Sequence, residues 1–341
     1  MATIVDNLQE IKPDIFSSVP RLLEKVYDKI CSAAQKQFRI KRTLFFWALH
    51  VAKQYEFGKQ TLFYRIRLRV ARRLVLYNIK KVLGGNLKII VSGGAAFQPK
   101  IARVFEASGI HVLVGYGLTE TSPVIAVHNL YYKGQKFETV GQILPTCSVK
   151  IADDNEILMK GQGLMVGYYK DEDQTPEAID NDGWFHTGDI GYVDEDNHLH
   201  LTGRKKEMFK TAFGKYVVPT VIERILESSE FIDAAMVVGE NQKFAAALIV
   251  PDFVKLRLWC ESHNIEYSTN AEMMNSPEVQ KRFKKEVANC NKQLGETEQI
   301  KRFHLMDYTF SIATGELTPT LKLRRAFIAN KHKDKIDALF A

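Results

Sequence analysis

The sequence predicts an α/β protein that ends in a small α+β domain, and three features carry that expectation. A βαβ pattern occupies about 84–130, short strands with polar turns follow over about 139–203, and helices alternate with strands again over 204–341. At 341 residues the chain is too long for one ordinary core. Two domains are therefore expected, 1–203 and 204–341.

The elements follow in order. Pro20 opens an apolar-periodic segment that reaches Ile30, and the same spacing recurs over 44–51 and 62–83. Gly84, Gly85 and Asn86 end this helical region. Residues 87–91 read as a strand, Gly93 and Gly94 as a turn, 99–107 as a helix and 111–114 as a second strand, which makes the βαβ unit. Beyond 139 the pattern changes to short strands at 149–151, 157–160, 191–193 and 199–202, with turns at 153–155 and 194–197. A small antiparallel sheet or distorted barrel is expected there. A helix then enters through Pro219 and runs to about Glu227, strands lie near 234–238 and 245–250, and helices cover 252–263 and 277–293.

Composition bounds the function. The chain is 45% hydrophobic and 26% charged, with no apolar run long enough to span a bilayer. Cys31, Cys147, Cys260 and Cys290 are scattered, which offers neither a zinc site nor a disulfide framework. The opening MATIVDNLQEIKPD lacks a targeting pattern, so a cytoplasmic location is expected. The net charge of +7 is concentrated between Lys36 and Lys81, where Arg39, Lys53, Arg65, Arg67, Arg69, Arg72, Arg73 and others face the single acid Glu56. Such a field attracts anions. No nucleic-acid motif accompanies it, so nucleic acid is set aside. Leu44, Phe45, Phe46, Trp47, Leu49, Phe57, Phe63 and Tyr64 interleave with these charges, and two readings follow. Either the apolar side chains pack inward and leave only the charges exposed, or the stretch lies on an anionic membrane surface at the inner face.

Three strings carry chemistry. GYGLTETSP (115–123) follows a strand, where ligands bind in α/β sheets. Gly115 and Gly117 allow close backbone approach, Tyr116 offers a ring for stacking on a base, and Thr119 with Glu120 supplies hard oxygens for Mg²⁺ and phosphate. In GWFHTGDIG (183–191), Asp189 sits between glycines in a loop before a strand, where a carboxylate can accept from ribose hydroxyls, and Arg204 adds a fork donor one hairpin later. His186, His198 and His200 are read as ordinary strand histidines, because no further ligand follows at metal spacing. In LTPTLKLRR (317–325), Lys322 lies in a loop before a final helix, where a flexible ammonium can reach two anions at once.

SGGAAF (92–97), these three strings and LTGRKKEMFKTAFGKYVVP (201–219) occur in the order and rough spacing of the adenylate-forming acyl-CoA synthetases. SVPRLLEKVYDKI (18–30) and the basic helical insert resemble the long-chain fatty acyl branch of that family. The resemblance implies part of the family's large AMP-binding domain followed by its small mobile C-terminal domain. It also implies ATP or AMP, Mg²⁺, CoA and a fatty acid as ligands. Carried over residue by residue, Gly93, Gly94 and Ala95 line the adenine, Tyr116 stacks on it with Gly117 beside it, and Thr119 and Glu120 hold phosphate and metal. Asp189 and Arg204 hold the ribose, and Lys322 bridges the fatty carboxylate and the α-phosphate. Lys206 is the hinge between half-reactions, and Lys210 with Gly214 serves the thioester step. One departure stands out: between Met1 and Ser92 nothing matches the family's Ser/Thr/Gly-rich phosphate loop ending in lysine. The chain by itself is therefore expected to be inactive. A carrier-protein, medium-chain or aromatic acid ligase, and a non-catalytic nucleotide-binding module, are the alternatives.

Overall fold

Backbone polar groups of a chain this size are satisfied by helices packed on sheets. The computed structural model describes residues 2–58, 60–95, 97–130, 135–171, 173–318 and 322–341. Two units emerge, Met1–Leu201 and Thr202–Ala341.

The first unit begins with α1 (Ala2–Ile11) and β1 (Ile15–Ser18), followed by α2 (Pro20–Gln35), α3 (Arg39–Lys53) and α4 (Leu62–Ala71). A π-helical turn, Arg72–Leu76, runs on into α5 (Tyr77–Val82). Then come β2 (Ile89–Ser92), α6 (Pro99–Ala107) and β3 (His111–Tyr116), which form the expected βαβ unit with Ser92 beside Val114 in parallel register. Sequence reading did not foresee β1, which pairs in parallel with β2 and places Ser18 beside Ser92. Its four residues, IFSS, are too short to show a period. Two short antiparallel strands, β4 (Ala126–Val127) and β5 (Gln142–Ile143), complete the sheet in the order β1-β2-β3-β4-β5.

The helices bury one stripe each against this sheet. Ala48, Leu49, Val51 and Ala52 of α3, Leu68 and Ala71 of α4, and Val104 and Phe105 of α6 share one core with Ile90 and Val112. Leu44, Phe45, Phe46, Trp47, Phe57 and Tyr64 pack against it, so the inward reading holds for these residues and for buried Leu49, whereas Phe63 is exposed. Arg72 is exposed like the other charges yet also bonds inward. Its Nε donates to the carbonyl of Ala107 at 2.6 Å, where a cation offsets the negative end of α6.

β6 (Cys147–Ile151), β7 (Glu156–Gly161), the short helix α7 (Gln174–Ala178), β8 (Phe185–Val193) and β9 (Leu199–Arg204) follow. The four strands form an antiparallel sheet in chain order. Asn155 and Asn197 take the left-handed conformation in its turns, which asparagine tolerates. The sheet curls: Leu199 N donates to Gly141 O at 2.9 Å and Val140 N to Leu199 O at 3.0 Å, which ties β9 to the start of β5.

The second unit holds a hairpin of β10 (Phe209–Lys210) and β11 (Tyr216–Val217), then α8 (Pro219–Leu226), β12 (Ile232–Val238) and β13 (Ala245–Pro251). After them come α9 (Phe253–Ser262), α10 (Asn270–Asn275), α11 (Pro277–Asn291), β14 (Ile300–Leu305), α12 (Arg325–Lys331) and α13 (Lys333–Phe340). β13 is buried throughout because it is the central strand of β12-β13-β14. Its alternate residues feed two cores. Ala245, Ala247 and Ile249 meet Ile222, Leu256 and Phe283, while Ala246, Leu248 and Val250 meet Phe310, Ile328 and Leu339. The described residues include no helix long and apolar enough to cross a membrane.

Buried His128 follows β4. It accepts from Val114 N through Nδ1 at 3.4 Å, which leaves Nε2–H to face Thr139 Oγ1 at 3.2 Å. Burial pushes its pKa down to about 4, so the ring is neutral at physiological pH. A folded value below the ordinary 6.5 means that its stabilisation is complete above that pH and is lost as pH falls through about 4. We expect the unfolding free energy of the first unit, from urea titrations followed at Trp47 and Trp184, to fall across this window by on the order of 1–3 kcal/mol. His128→Gln keeps a donor and an acceptor and should flatten that fall. An equally steep fall in the variant would assign the acid sensitivity elsewhere.

Candidate active site

A cleft of about 880 Å³ opens at the carboxyl ends of β1, β2 and β3. Parallel strands deliver three chain ends to one place, which is where open α/β sheets bind ligands. Gly93, Gly94, Tyr116 and Gly117 line this cleft, and Ala95 is exposed beside its glycine turn. Ala96 lies outside the described residues. Ser92, which sequence reading passed over, also lines the cleft. Its hydroxyl is buried and has no partner among the described residues, as expected of a polar group beside a ligand position.

The glycine at 117 has a steric reason. A Cβ there would stand 1.6 Å from the carbonyl oxygen of Pro123, so any side chain would displace the 118–122 turn. That turn is a 3₁₀ helix, Thr119–Thr121, and Thr121 Oγ1 holds it by accepting from Leu118 N at 3.0 Å. Thr119 is exposed and Glu120 half-buried. Tyr168 donates to Glu120 Oε1 at 3.0 Å, and the Glu120 carbonyl accepts from Met165 N at 2.8 Å. The Tyr168 partnership spans 48 residues, and no local spacing could have signalled it. A carboxylate and a hydroxyl on one turn form the hard-oxygen donor set that Mg²⁺ accepts, so these residues fit the metal that the resemblance implies.

Tyr116 and Asp189 meet. The tyrosine hydroxyl donates to Asp189 Oδ2 at 2.8 Å across 73 residues, and the Tyr116 ring is buried against Ile125, Ile157 and Leu199. Asp189 lies inside β8 rather than in a loop before a strand. The physical reason is Gly188, whose φ of 70° accompanies a register shift between β7 and β8 and re-aims the next side chain without ending the strand. Glu156 secures this bulge: Oε1 accepts from Gly188 N at 2.9 Å and Oε2 faces His186 Nδ1 at 3.2 Å.

The histidine neighbourhood differs from expectation. Asp194, Asp196 and His198 bring ligand atoms within 4.8 Å of one another, so carboxylates do stand beside the strand histidines. Lys136 takes the place of a cation, with Nζ 2.8 Å from Asp194 and 2.6 Å from Asp196. His200 Nε2 lies 2.9 Å from Asp194 Oδ2. The group reads as a structural ion cluster.

In the second unit, Arg204 and Lys206 are exposed, the latter in the 3₁₀ turn Lys205–Glu207. Lys210 is exposed on β10 with Nζ 4.7 Å from the Tyr216 ring centre. Gly214 has φ 74° in the turn of the same hairpin. Lys322 is exposed on a narrow loop whose two sides bond to each other: Thr318 N donates to Lys322 O at 2.9 Å, and Lys322 N to Thr318 Oγ1 at 3.0 Å. Residues 319–321 of that loop lie outside the described set.

Beneath it lies Glu316, fully buried, a residue that sequence reading gave no role. Its carboxylate accepts from Tyr308 Oη at 2.9 Å, Lys331 Nζ at 2.6 Å and Thr314 Oγ1. Burial pushes its pKa up, but the bonds from Lys331, Thr314 and Tyr308 outweigh burial and hold it at about 2.

Residues 1–169 match the family described as AMP-binding enzyme, and residues 208–341 match the AMP-binding enzyme C-terminal domain. The chain is 35% identical over 339 residues to a long-chain-fatty-acid–CoA ligase of Mycobacterium tuberculosis, covering 98% of this chain and 56% of that protein. It is 33% identical over 359 residues to long-chain-fatty-acid–CoA ligase 6 of Rattus norvegicus, covering 98% of this chain and 49% of that one. The chain thus spans about half the length of the curated relatives it matches. Among solved structures, the adenylation domain of a carboxylate reductase from Mycobacterium chelonae superposes with a TM-score of 0.69 at 19% identity, over 99% of this chain and 48% of that one. The likeness supports an adenylate-forming fold.

Glu316→Gln should lower the stability of the second unit by about 1–3 kcal/mol at neutral pH, read as the urea midpoint at Trp259. The folded pKa lies below the ordinary 4.5, so stability from the carboxylate is present above that value and lost as pH falls through about 2. The variant should lose this acid dependence. Unchanged stability at both ends of the window would remove Glu316 as the support beneath the Lys322 loop.

Proposed function

The chain belongs to the AMP-binding enzyme family, and from that premise we propose that the whole protein activates long-chain fatty acids by adenylation and transfer to CoA. The observation that carries this reading is the Tyr116–Asp189 pair beside a glycine-lined cleft at the strand ends, which suits a base and a ribose together. Identity to relatives named long-chain-fatty-acid–CoA ligases over nearly the whole chain supports the substrate class. Residues 1–203 act in this reading as part of the large domain, and 204–341 as the mobile small domain.

In the first half-reaction the fatty carboxylate oxygen attacks the α-phosphorus of ATP, and the bond to pyrophosphate breaks to leave acyl-AMP. In the second, the CoA thiolate attacks the acyl carbon and AMP departs. Asp189 accepts from the ribose hydroxyls and Arg204 donates to the same sugar, which fixes the α-phosphorus in line. Gly93, Gly94 and Ala95 give the adenine close backbone contact, with the Tyr116 ring alongside. Mg²⁺, when bound by Glu120 with Thr119 beside it, neutralises phosphate charge. Lys322 neutralises the carboxylate and the α-phosphate as they approach. The small domain then turns about Lys206, which stays solvated in either orientation, and brings Lys210 and the Gly214 turn to the thioester step. The protein works in the cytoplasm and touches the inner face of a membrane peripherally, through its basic helical stretch. This chain, without a Ser/Thr/Gly-rich loop, holds nucleotide but lacks the grip on the β- and γ-phosphates that turnover needs.

Two measurements test this. The chain should bind AMP by calorimetry, lose that binding on Asp189→Ala, and form no acyl-CoA from fatty acid, ATP and CoA. Steady thioester formation would refute its incompleteness. In the full-length protein, Lys322→Ala should slow acyl-AMP formation roughly a hundredfold or more, yet change thioester formation from supplied acyl-AMP only a few-fold. Equal losses in both half-reactions would remove Lys322 from the first step.

A further inference from the structure

The outer face of α4 and the π turn is unusual for a surface helix. Leu62, Phe63, Ile66, Val70, Leu74 and Tyr77 are between 42% and 73% exposed, and their spacing keeps them in one row along the helix. Beside the row runs a second one of exposed cations, Arg65, Arg69 and Arg73, with Lys81 beyond them. From Phe57 to Phe105 the sequence contains no acid, and the nearby Glu56 is bonded to Arg103. The cations also sit over the exposed rings: Arg67 lies 5.6 Å from the Phe63 ring centre and Lys81 5.0 Å from that of Tyr77.

This face cannot turn inward. Leu68, Ala71, Val75, Leu76 and Ile79 are locked into the core on the opposite side, and Arg72 is fixed to the Ala107 carbonyl. Solvated charge alone would not place aliphatic side chains in water at this density, and a second copy of the chain would meet the same uncompensated positive field. An apolar row flanked by arginines matches the boundary of an anionic bilayer, where the row enters the acyl region and guanidinium groups reach lipid phosphates.

We propose that the outer face of α4 and the following π turn is an interfacial surface that seats the protein on anionic lipid. The inference rests on the peripheral-contact reading above and not on the ligase activity. Phe63, Ile66, Val70 and Leu74 insert, while Arg65, Arg69 and Arg73 pair with headgroups.

Sedimentation of the full-length protein with vesicles of phosphatidylcholine alone, and of phosphatidylcholine mixed with phosphatidylglycerol, tests this. Failure there with binding by the chain alone would assign the row to the rest of the polypeptide and overturn the proposal. Binding should need the anionic lipid and weaken as salt rises. Arg65→Gln/Arg69→Gln/Arg73→Gln should weaken it on the order of a hundredfold. Ile66→Gln/Val70→Gln/Leu74→Gln should weaken it at least tenfold. Both triple variants change exposed positions, so the urea midpoint should stay put and separate lost docking from lost folding. Absence of vesicle binding by the unaltered protein overturns the peripheral reading itself. Vesicle binding that survives both triple variants places the contact elsewhere and overturns the assignment to this face. Loss in the arginine variant alone reduces it to a diffuse charge patch, and self-association abolished by Ile66→Gln/Val70→Gln/Leu74→Gln, without vesicle binding, assigns the row to a second copy; either result overturns the insertion.

Discussion

The hydrogen bond from Tyr116 to Asp189 is the constraint on which the first unit's candidate site depends, because it joins two sheets that have no strand in common. Each partner is aimed by a glycine that no other residue replaces without strain. Gly117 lets the chain leave β3 against the Pro123 carbonyl, and Gly188 bulges β8 so that Asp189 faces its partner. Tyr116 is buried at its ring and polar at its tip, a division of labour suited to a residue between a core and a ligand cleft.

Within each unit, buried acids do structural work. Glu156 holds the bulge through Gly188 N, Glu106 accepts from Val112 N at the start of β3, and Glu316 underlies the Lys322 loop. Each is nearly or fully buried and supplied with donors, which is what makes a buried carboxylate tolerable. By contrast Glu120 and Asp189 are half-buried and sit on a turn and a bulge, accessible to a ligand. Position, more than residue type, separates the two groups.

The basic insert holds two behaviours. Aromatic and aliphatic residues from 44 to 57 with Tyr64 pack inward, whereas Phe63, Ile66, Val70 and Leu74 stay outside. Of the lysines and arginines, only Lys53 falls within 44–57, whereas Arg65, Arg67, Arg69, Arg72 and Arg73 interleave with the second set. The π turn and the Arg72 bond to α6 fix the roll of the helix, and that roll decides which apolar row is covered.

The sequence by itself determined the βαβ unit, the antiparallel hairpins, the helix entered at Pro219 and the family resemblance, because each rests on local period, turn chemistry or contiguous motif. It left out β1, the pairing of Tyr168 with Glu120, the place of Asp189 inside a strand, the lysine between Asp194 and Asp196, and the donors around Glu316. Tyr168 and Glu120 lie 48 residues apart and Lys136 and Asp194 58, while Lys331 stands 15 from Glu316. Tertiary structure alone decided these, since a buried polar group takes whichever partner the packed fold brings within 3 Å, and local periodicity carries no information about that choice.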